Sequence, residues 1–235
     1  MKIITKRLRE HKQLKTYKVP QGSCTDGKYI YVAYEQKPTH GKKHRIKIAK
    51  YDKSGKLKKV SGAMKLGHAN DMTYHDGILY VTHSGNDNII HRVRANTLKP
   101  LKGVKVRFGK IKKTGFNGIG KTADGFILRR MGGGLLLTDN NFKAKKAVKC
   151  VQPKSKSPQG ITVNKDRLYR GYANFQKGQN SVVEYDLDGT KLRRIVLDVK
   201  GELESIFFLN GKLNLIIYRK YRKSGKNHYE AWLVR

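Results

Sequence analysis

Acidic residues are scarce in this chain: 17 Asp and Glu stand against 52 Lys and Arg over 235 residues, a formal net charge of +35. A few surplus lysines serve solubility, but an excess of this size creates self-repulsion and draws a protein toward polyanions. Cysteine is nearly absent. Cys24 and Cys150 fall in repeat units that need not touch, which excludes a disulfide-built scaffold and favours free thiols in a reducing compartment. Neither has the spacing of a metal cluster, and the eight histidines form no HExxH array, so no metal and no cofactor are expected. No apolar run approaches the roughly 20 residues of a membrane helix. The basic start, Met1 to Arg9, has no apolar stretch behind it, so it does not read as an uncleaved export signal. Two locations stay open: the cytoplasm, or the cell wall and exterior if a signal has been removed. RNP, KH, helix-turn-helix and finger patterns are lacking too.

What is present is a repeat. Asn70 to Val81 reads as a short strand, an Asp76-Gly77 turn and a second strand. The same unit returns from Gln21, Asn117, Gln159 and Glu204, at spacings of 49, 47, 42 and 45 positions. That is the period of a propeller blade, a sheet too small to stand alone that buries its faces against its neighbours. The expected fold is an all-β, five-bladed propeller of four-stranded blades occupying residues 1–235 as one domain. Each unit also ends alike: Tyr51-Asp52-Lys53-Ser54-Gly55 and Tyr185-Asp186-Leu187-Asp188-Gly189 run into an outer, lysine-rich strand, with looser versions at Asp139 and Ala95. The fifth unit reaches Arg235 one strand short. Residues 13–19 are expected to supply it as an N-terminal outer strand, closing the ring against 229–234.

Basic residues go all the way around. Lys42 and Lys43 crowd the first unit, Lys112 and Lys113 lie between the second and third, and Lys145 and Lys146 follow. Lysine outweighs arginine in these runs, which suits point-charge attraction to phosphate better than bidentate reading of bases.

In a propeller the first residues of the inner strands meet at the channel mouth. Gln21, Asn70, Asn117, Gln159 and Glu204 are expected there as a polar ring, with His68 just ahead of the second member. The ends of the second strands add Tyr34, His83, Arg130, Tyr172 and Arg219. These residues form a candidate ligand pocket with hydrogen-bonding walls and basic shoulders. Equally, they could hold water or cap strand ends. Asp71 and Glu204 are the acids in these inner positions, and His68 or His83 could donate a proton to a phosphate leaving group. A glycosidase of this architecture is expected to carry acids on three inner strands, where units one, three and four offer Gln21, Asn117 and Gln159.

The stretch Gly67-His68-Ala69-Asn70-Asp71-Met72-Thr73-Tyr74 resembles the helveticin-like and teichoic-acid-associated propellers of Gram-positive bacteria and their phages. The resemblance implies association with the cell envelope or a wall polymer, with Asn70 and Asp71 near the functional face.

Noncatalytic binding of an anionic polymer, wall teichoic acid or nucleic acid, is therefore the expected function. The alternative is a hydrolase acting on a phosphodiester or glycosidic bond through Asp71, Glu204 and His68. A monomer is compatible with the sequence, which does not decide oligomeric state.

Overall fold

The computed structural model describes residues 5–8, 12–36, 44–85, 87–153, 157–173, 179–224 and 226–235. It is a five-bladed β-propeller in which every blade is a four-stranded antiparallel sheet. Strand β1 (Thr5–Arg7) is followed by a 3-10 turn, Lys12–Leu14, and then by blade one: β2 (Tyr17–Thr25), β3 (Tyr29–Gln36), β4 (Ile46–Asp52) and β5 (Leu57–Val60). Blade two is β6 (Asp71–His75), β7 (Ile78–Thr82), β8 (Ile89–Arg94) and β9 (Pro100–Lys105). Blade three is β10 (Phe116–Thr122), β11 (Gly125–Arg130), β12 (Leu135–Thr138) and β13 (Ala144–Val148). Blade four is β14 (Ser157–Asn164), β15 (Arg167–Ala173), β16 (Asn180–Asp186) and β17 (Lys191–Leu197). Blade five takes β18 (Glu202–Leu209), β19 (Lys212–Lys223) and β20 (Lys226–Val234) from the C-terminal end, and β1 from the N-terminal end.

Alternation along each strand sends successive side chains to opposite neighbours. In β3, Tyr31 and Ala33 join a cluster with Met72 and Leu79 of blade two, while Ile30, Val32 and Tyr34 pack with Ile216 and Leu233 of blade five. The core is thus divided among the spaces between blades. Blades two and three meet through Ile90, Phe126 and Phe142, blades three and four through Ile127, Leu168 and Tyr185, and blades four and five through Val182, Leu203 and Ile217.

Turn chemistry explains why the sequence repeat is visible. Asp76-Gly77 and Asn210-Gly211 have positive φ at both residues, the conformation that a two-residue hairpin turn requires. At the third turn of the blades, Asp52, Asp139 and Asp186 each direct Oδ1 at the backbone N–H four residues on, at 2.9, 2.8 and 2.8 Å. The residue three past each aspartate has positive φ, which Gly55 and Gly189 adopt freely. Phe142 and, in the looser copy, Leu98 hold the same conformation at φ 58°, anchored by burial.

The ring closes by an N-terminal outer strand, but through a different segment from the one expected. Strand β1 pairs with β20, Thr5 opposite Val234 and Arg7 opposite Trp232, and the Leu8 N–H donates to the Ala231 carbonyl at 2.9 Å. Residues 13–19 do not complete blade five. They pass through the 3-10 turn into β2, where Tyr17 and Val19 pair with Gln36 and Glu35 of blade one. The register irregularity between Pro20 and Ser23 lets one strand continue through a proline, which cannot donate to a ladder.

At the centre the channel is crossed by protein. The Ser23 N–H and Oγ both reach Ser205 Oγ, at 2.9 and 2.8 Å, joining blades one and five. The Gly22 N–H donates to the Ala69 carbonyl at 3.0 Å. Asp71, fully buried, accepts from the Met72 N–H at Oδ1 and from the Ile119 and Ile161 N–H groups at Oδ2, at 2.9, 3.0 and 2.8 Å. One carboxylate therefore ties blades two, three and four together.

Two outcomes are expected. Removing residues 1–8 strips β20 of its partner and exposes the surface under Leu8. The truncated chain should lose at least about 2 kcal/mol in urea unfolding and self-associate through the open edge; a wild-type midpoint and a monomeric elution profile would contradict the closure. Asp71→Asn turns an acceptor oxygen into an N–H₂ facing backbone donors. At mildly alkaline pH it should cost about 2–3 kcal/mol of stability, and an unchanged urea midpoint would show that the carboxylate is not a tie.

Candidate functional site

Two oppositely charged groups flank this closed centre, on the side where the inner strands begin. The first is acidic and imidazole-rich. Glu35, at the end of β3, keeps only 6% of its side chain exposed, because its position in the alternation turns it toward blade two. His44, just ahead of β4, sets Nδ1 against Glu35 Oε1, and His68, in the turn before β6, sets Nδ1 against Oε2 at 2.8 Å. Gln159 of β14 donates from Nε2 to Glu202 Oε1 at 3.3 Å. Glu202 and Glu204 both lie at the start of β18, where the register shifts between Leu203 and Ser205, and their charges interact.

Burial pushes the Glu204 carboxyl well above its usual range, and the charges on Glu202 and Glu35 add to the shift. Glu202 is raised by burial too, with His68 and the Gln159 amide pulling the other way. Glu204 is thus a carboxyl prepared to hold a proton beside carboxylates and imidazoles, the condition for a general acid. Glu35, His44 and His68 are also residue types able to hold a cation, with ligand atoms all within 4.8 Å of one another.

The second group is cationic and interior. Arg129 of β11 and Arg170 of β15 lie between blades three and four, 4% and 0% exposed. Arg129 donates from Nη2 to the Asn117 carbonyl at 2.8 Å, leaving Nε and Nη1 without partners. All three nitrogens of Arg170 lack hydrogen bonds, and its guanidinium lies 5.4 and 5.8 Å from the Tyr172 and Tyr185 rings. Burial and the charge of Arg170 push Arg129 down to about 10, against the pull of Asp71. Burial likewise lifts Asp71 to about 7, opposed by its backbone donors and by Arg129.

The structure brings His68, Gln159 and Glu204 together and separates most of the other expected mouth residues. Asp71 is occupied as the central tie, which removes it as an accessible acid. Gln21 is buried, Asn70 Oδ1 accepts from the Ser84 hydroxyl at 2.6 Å, and Asn117 Oδ1 is buried without a partner. The second-strand set is largely turned away. Tyr34 and Tyr172 are core residues whose hydroxyls meet Tyr51 and Tyr185, each at 3.0 Å. His83 contacts Asp87 at 3.0 Å and lies beside His91, the rings tilted by 42° with centroids 4.9 Å apart. Arg130 donates to the Lys112 carbonyl, and Arg219 to the Lys200 carbonyl while lying 4.6 Å from the Trp232 ring.

Sequence reasoning missed Glu35, His44, Glu202, Arg129 and Arg170. Glu35 and Arg129 stand one residue from Tyr34 and Arg130, so alternation counted from the apolar members of β3 and β11 would have found them. Of the lysines expected in a cationic collar, Lys112, Lys113, Lys145 and Lys146 are exposed. Lys42 and Lys43 lie outside the described residues. The opposite end of the ring holds a separate cavity of 160 Å³ beside Ser23, Thr73, Lys121 and Thr162, below the central ties.

Glu204→Gln tests the protonated state. A carboxyl whose pKa is raised on folding stabilises the fold fully below its unfolded pKa and loses that contribution as pH rises through the folded value. The amide removes this loss, so the stability of the variant relative to wild type should rise as the pH climbs above the usual carboxylate range. Urea midpoints in chelating buffer measure it, and parallel pH curves for the two proteins would exclude a protonated Glu204.

No family model and no curated protein matches the chain, so the resemblance to helveticin-like propellers gains no support from sequence comparison. Solved structures do match. A putative glycoside hydrolase from Parabacteroides distasonis is 12% identical, with 93% of this chain and 86% of that one covered at a TM-score of 0.53. A chain of a nidogen/laminin complex is 15% identical, covering 83% and 87% at 0.52. Myxococcus xanthus glutaminyl cyclase is 14% identical, covering 76% and 74% at 0.47. At such identities the likeness extends to the propeller fold alone.

Proposed function

We propose that the protein binds an anionic polymer of the phosphodiester class, wall teichoic acid or nucleic acid, along a cationic rim. The observation that carries this reading is the repetition of exposed cations on the outer strand of every blade. Lys6 and Arg7 lie on β1, Lys58 and Lys59 on β5, Lys102 and Lys105 on β9, Lys145 and Lys146 on β13, and Lys191, Arg193 and Arg194 on β17. Among the described residues, three ion pairs join a Lys or Arg to a carboxylate: Arg7 to Glu230, Lys146 to Asp188 and Arg193 to Glu184. A rim in which most of these cations make no ion pair among the described residues attracts phosphates without reading sequence or sugar identity, and releases counterions when they bind.

A second reading is supported by the convergence of Glu204 and His68 with Glu35 and Glu202. It makes the same protein a hydrolase of a phosphodiester or glycosidic bond, with Glu204 as acid and the imidazoles as proton carriers. Asp71 has no part in it.

Replacing Lys42, Lys43, Lys112, Lys113, Lys145 and Lys146 with glutamine tests the rim. Affinity for DNA and for teichoic acid at low salt should fall at least about tenfold, and the slope of log K against log salt should flatten by up to about 5 if every one of them meets a phosphate. Retention equal to wild type on both polymers would overturn the binding reading. Release of low-mass products by wild type, lost in Glu204→Gln with binding intact, would establish the hydrolase instead.

A further inference from the structure

We propose that Glu35, His44 and His68 form a binding site for one divalent transition-metal ion of the zinc class at the mouth of the ring. The inference goes beyond the polymer-binding reading and is tested without any polymer.

The three residues come from separate segments: the end of β3, the approach to β4 and the approach to β6. Each imidazole nevertheless turns Nδ1, rather than its ring face or Nε2, onto the same carboxylate. The rings stand nearly perpendicular, at 76° with centroids 5.7 Å apart, so neither blocks the other's nitrogen. A tetrahedral ion with bonds of about 2.0–2.2 Å keeps its ligands within roughly 4 Å of one another. Donor atoms already gathered within 4.8 Å need only small side-chain rotations to meet one.

Donor type selects the ion. Two imidazole nitrogens and one carboxylate suit zinc and its first-row neighbours, whereas magnesium and calcium require oxygen ligands. Exposure selects the kind of site. Glu35 anchors the set from within, at 6% side-chain exposure, while His44 and His68 are 47% and 36% exposed. Three protein ligands with one side open to solvent is the pattern of a site that keeps a position for water or substrate.

The surroundings supply an independent reason. In a chain of net charge +35, Glu35, Glu202 and Glu204 are gathered at one place, and no Lys or Arg forms an ion pair with any of them among the described residues. A dication offsets that local repulsion. Bound there, it would lie beside Glu204 and face any phosphate delivered by the rim.

The test is titration of untagged, chelator-stripped protein with zinc at high salt near neutral pH, followed by calorimetry, with cobalt substitution read by its visible absorption. One equivalent should bind, magnesium should not compete, and His68→Ala and Glu35→Gln should each weaken binding at least about tenfold with circular dichroism unchanged. His68 is solvent-facing, so His68→Ala reports even if Glu35→Gln fails to fold. His75→Ala, outside the cluster, should bind as wild type. Absence of a saturable equivalent, binding unaffected by His68→Ala and His44→Ala, or loss of binding in His75→Ala would each overturn the proposal.

Discussion

The ring depends on a carboxylate bonded to backbone at its centre. Five inner strands converge there, and the repeat position that meets the axis is occupied by Gly22, Asp71, Gly118, Gly160 and Ser205. A Cβ on Gly22 would approach the Asp71 backbone to 2.6 Å, and one on Gly160 would come within 3.1 Å of Ser205 Cα and 3.2 Å of Asp71 Oδ1. There is room for one larger side chain at this level, and it is an acceptor. That choice suits the geometry, because strand ends directed at an axis bring N–H groups that need partners away from water. Asp71 satisfies blades two, three and four, the serine pair joins one to five, and the Gly22 to Ala69 bond joins one to two. The centre is therefore closed, and any ligand chemistry is confined to the faces.

Above that closure the charges are partitioned. Arg129 and Arg170 occupy the space between blades three and four, while Glu35, Glu202 and Glu204 lie toward blades five, one and two. Asp71 stands between them and is influenced by Arg129. Burying a guanidinium without a hydrogen-bond partner, as at Arg170, costs several kcal/mol, so the arrangement is held against its own electrostatics by the surrounding strands. Tyr172 and Tyr185 soften the cost by placing ring faces near Arg170. The result is a dipolar mouth inside a uniformly cationic rim.

The architecture was legible in the sequence because turns obey local rules. Asp76-Gly77 and the Asp-x-x-Gly endings of blades one and four need positive φ at set positions, and residues with that freedom or that hydrogen-bonding habit recur at the blade period. Closure was legible in principle but assigned to the wrong segment. Thr5–Arg7 reads as a charged tail, since an outer strand beside water needs only Leu8 to be apolar. Tyr17–Thr25 reads as two pieces, since Pro20 and the irregularity after it break the expected pattern. The mouth was the least legible. Irregularities also fall between Phe116 and Gly118, Pro158 and Ile161, and Leu203 and Ser205, shifting alternation where the inner strands begin. The residues expected from the ends of the second strands were Tyr34, His83, Arg130, Tyr172 and Arg219, whereas the charged groups at the mouth come from Glu35 of β3, Arg129 of β11 and Arg170 of β15, and from Glu202 of the inner strand β18.

That contrast separates scaffold from specificity in physical terms. Scaffold features repeat because each blade solves the same problem: the capping aspartates recur, and the Tyr34 to Tyr51 contact of blade one is matched by Tyr172 to Tyr185 of blade four. The mouth residues do not repeat. One position on the inner strands carries Gln21, Asn70, Asn117, Gln159 and Glu204, and blades one and five bring the carboxylates of Glu35 and Glu202 beside His44 and His68. Fivefold packing has no use for such asymmetry, since equivalent blades would be served by equivalent side chains. Nor does it stabilise the fold, because gathered carboxylates and unpaired guanidinium groups both oppose burial. The similar propellers are 10–15% identical to this chain, so the likeness carries the fold and no chemistry. Glu35, His44, His68, Glu202 and Glu204 are thus the positions at which the mouth departs from the symmetry of the blades.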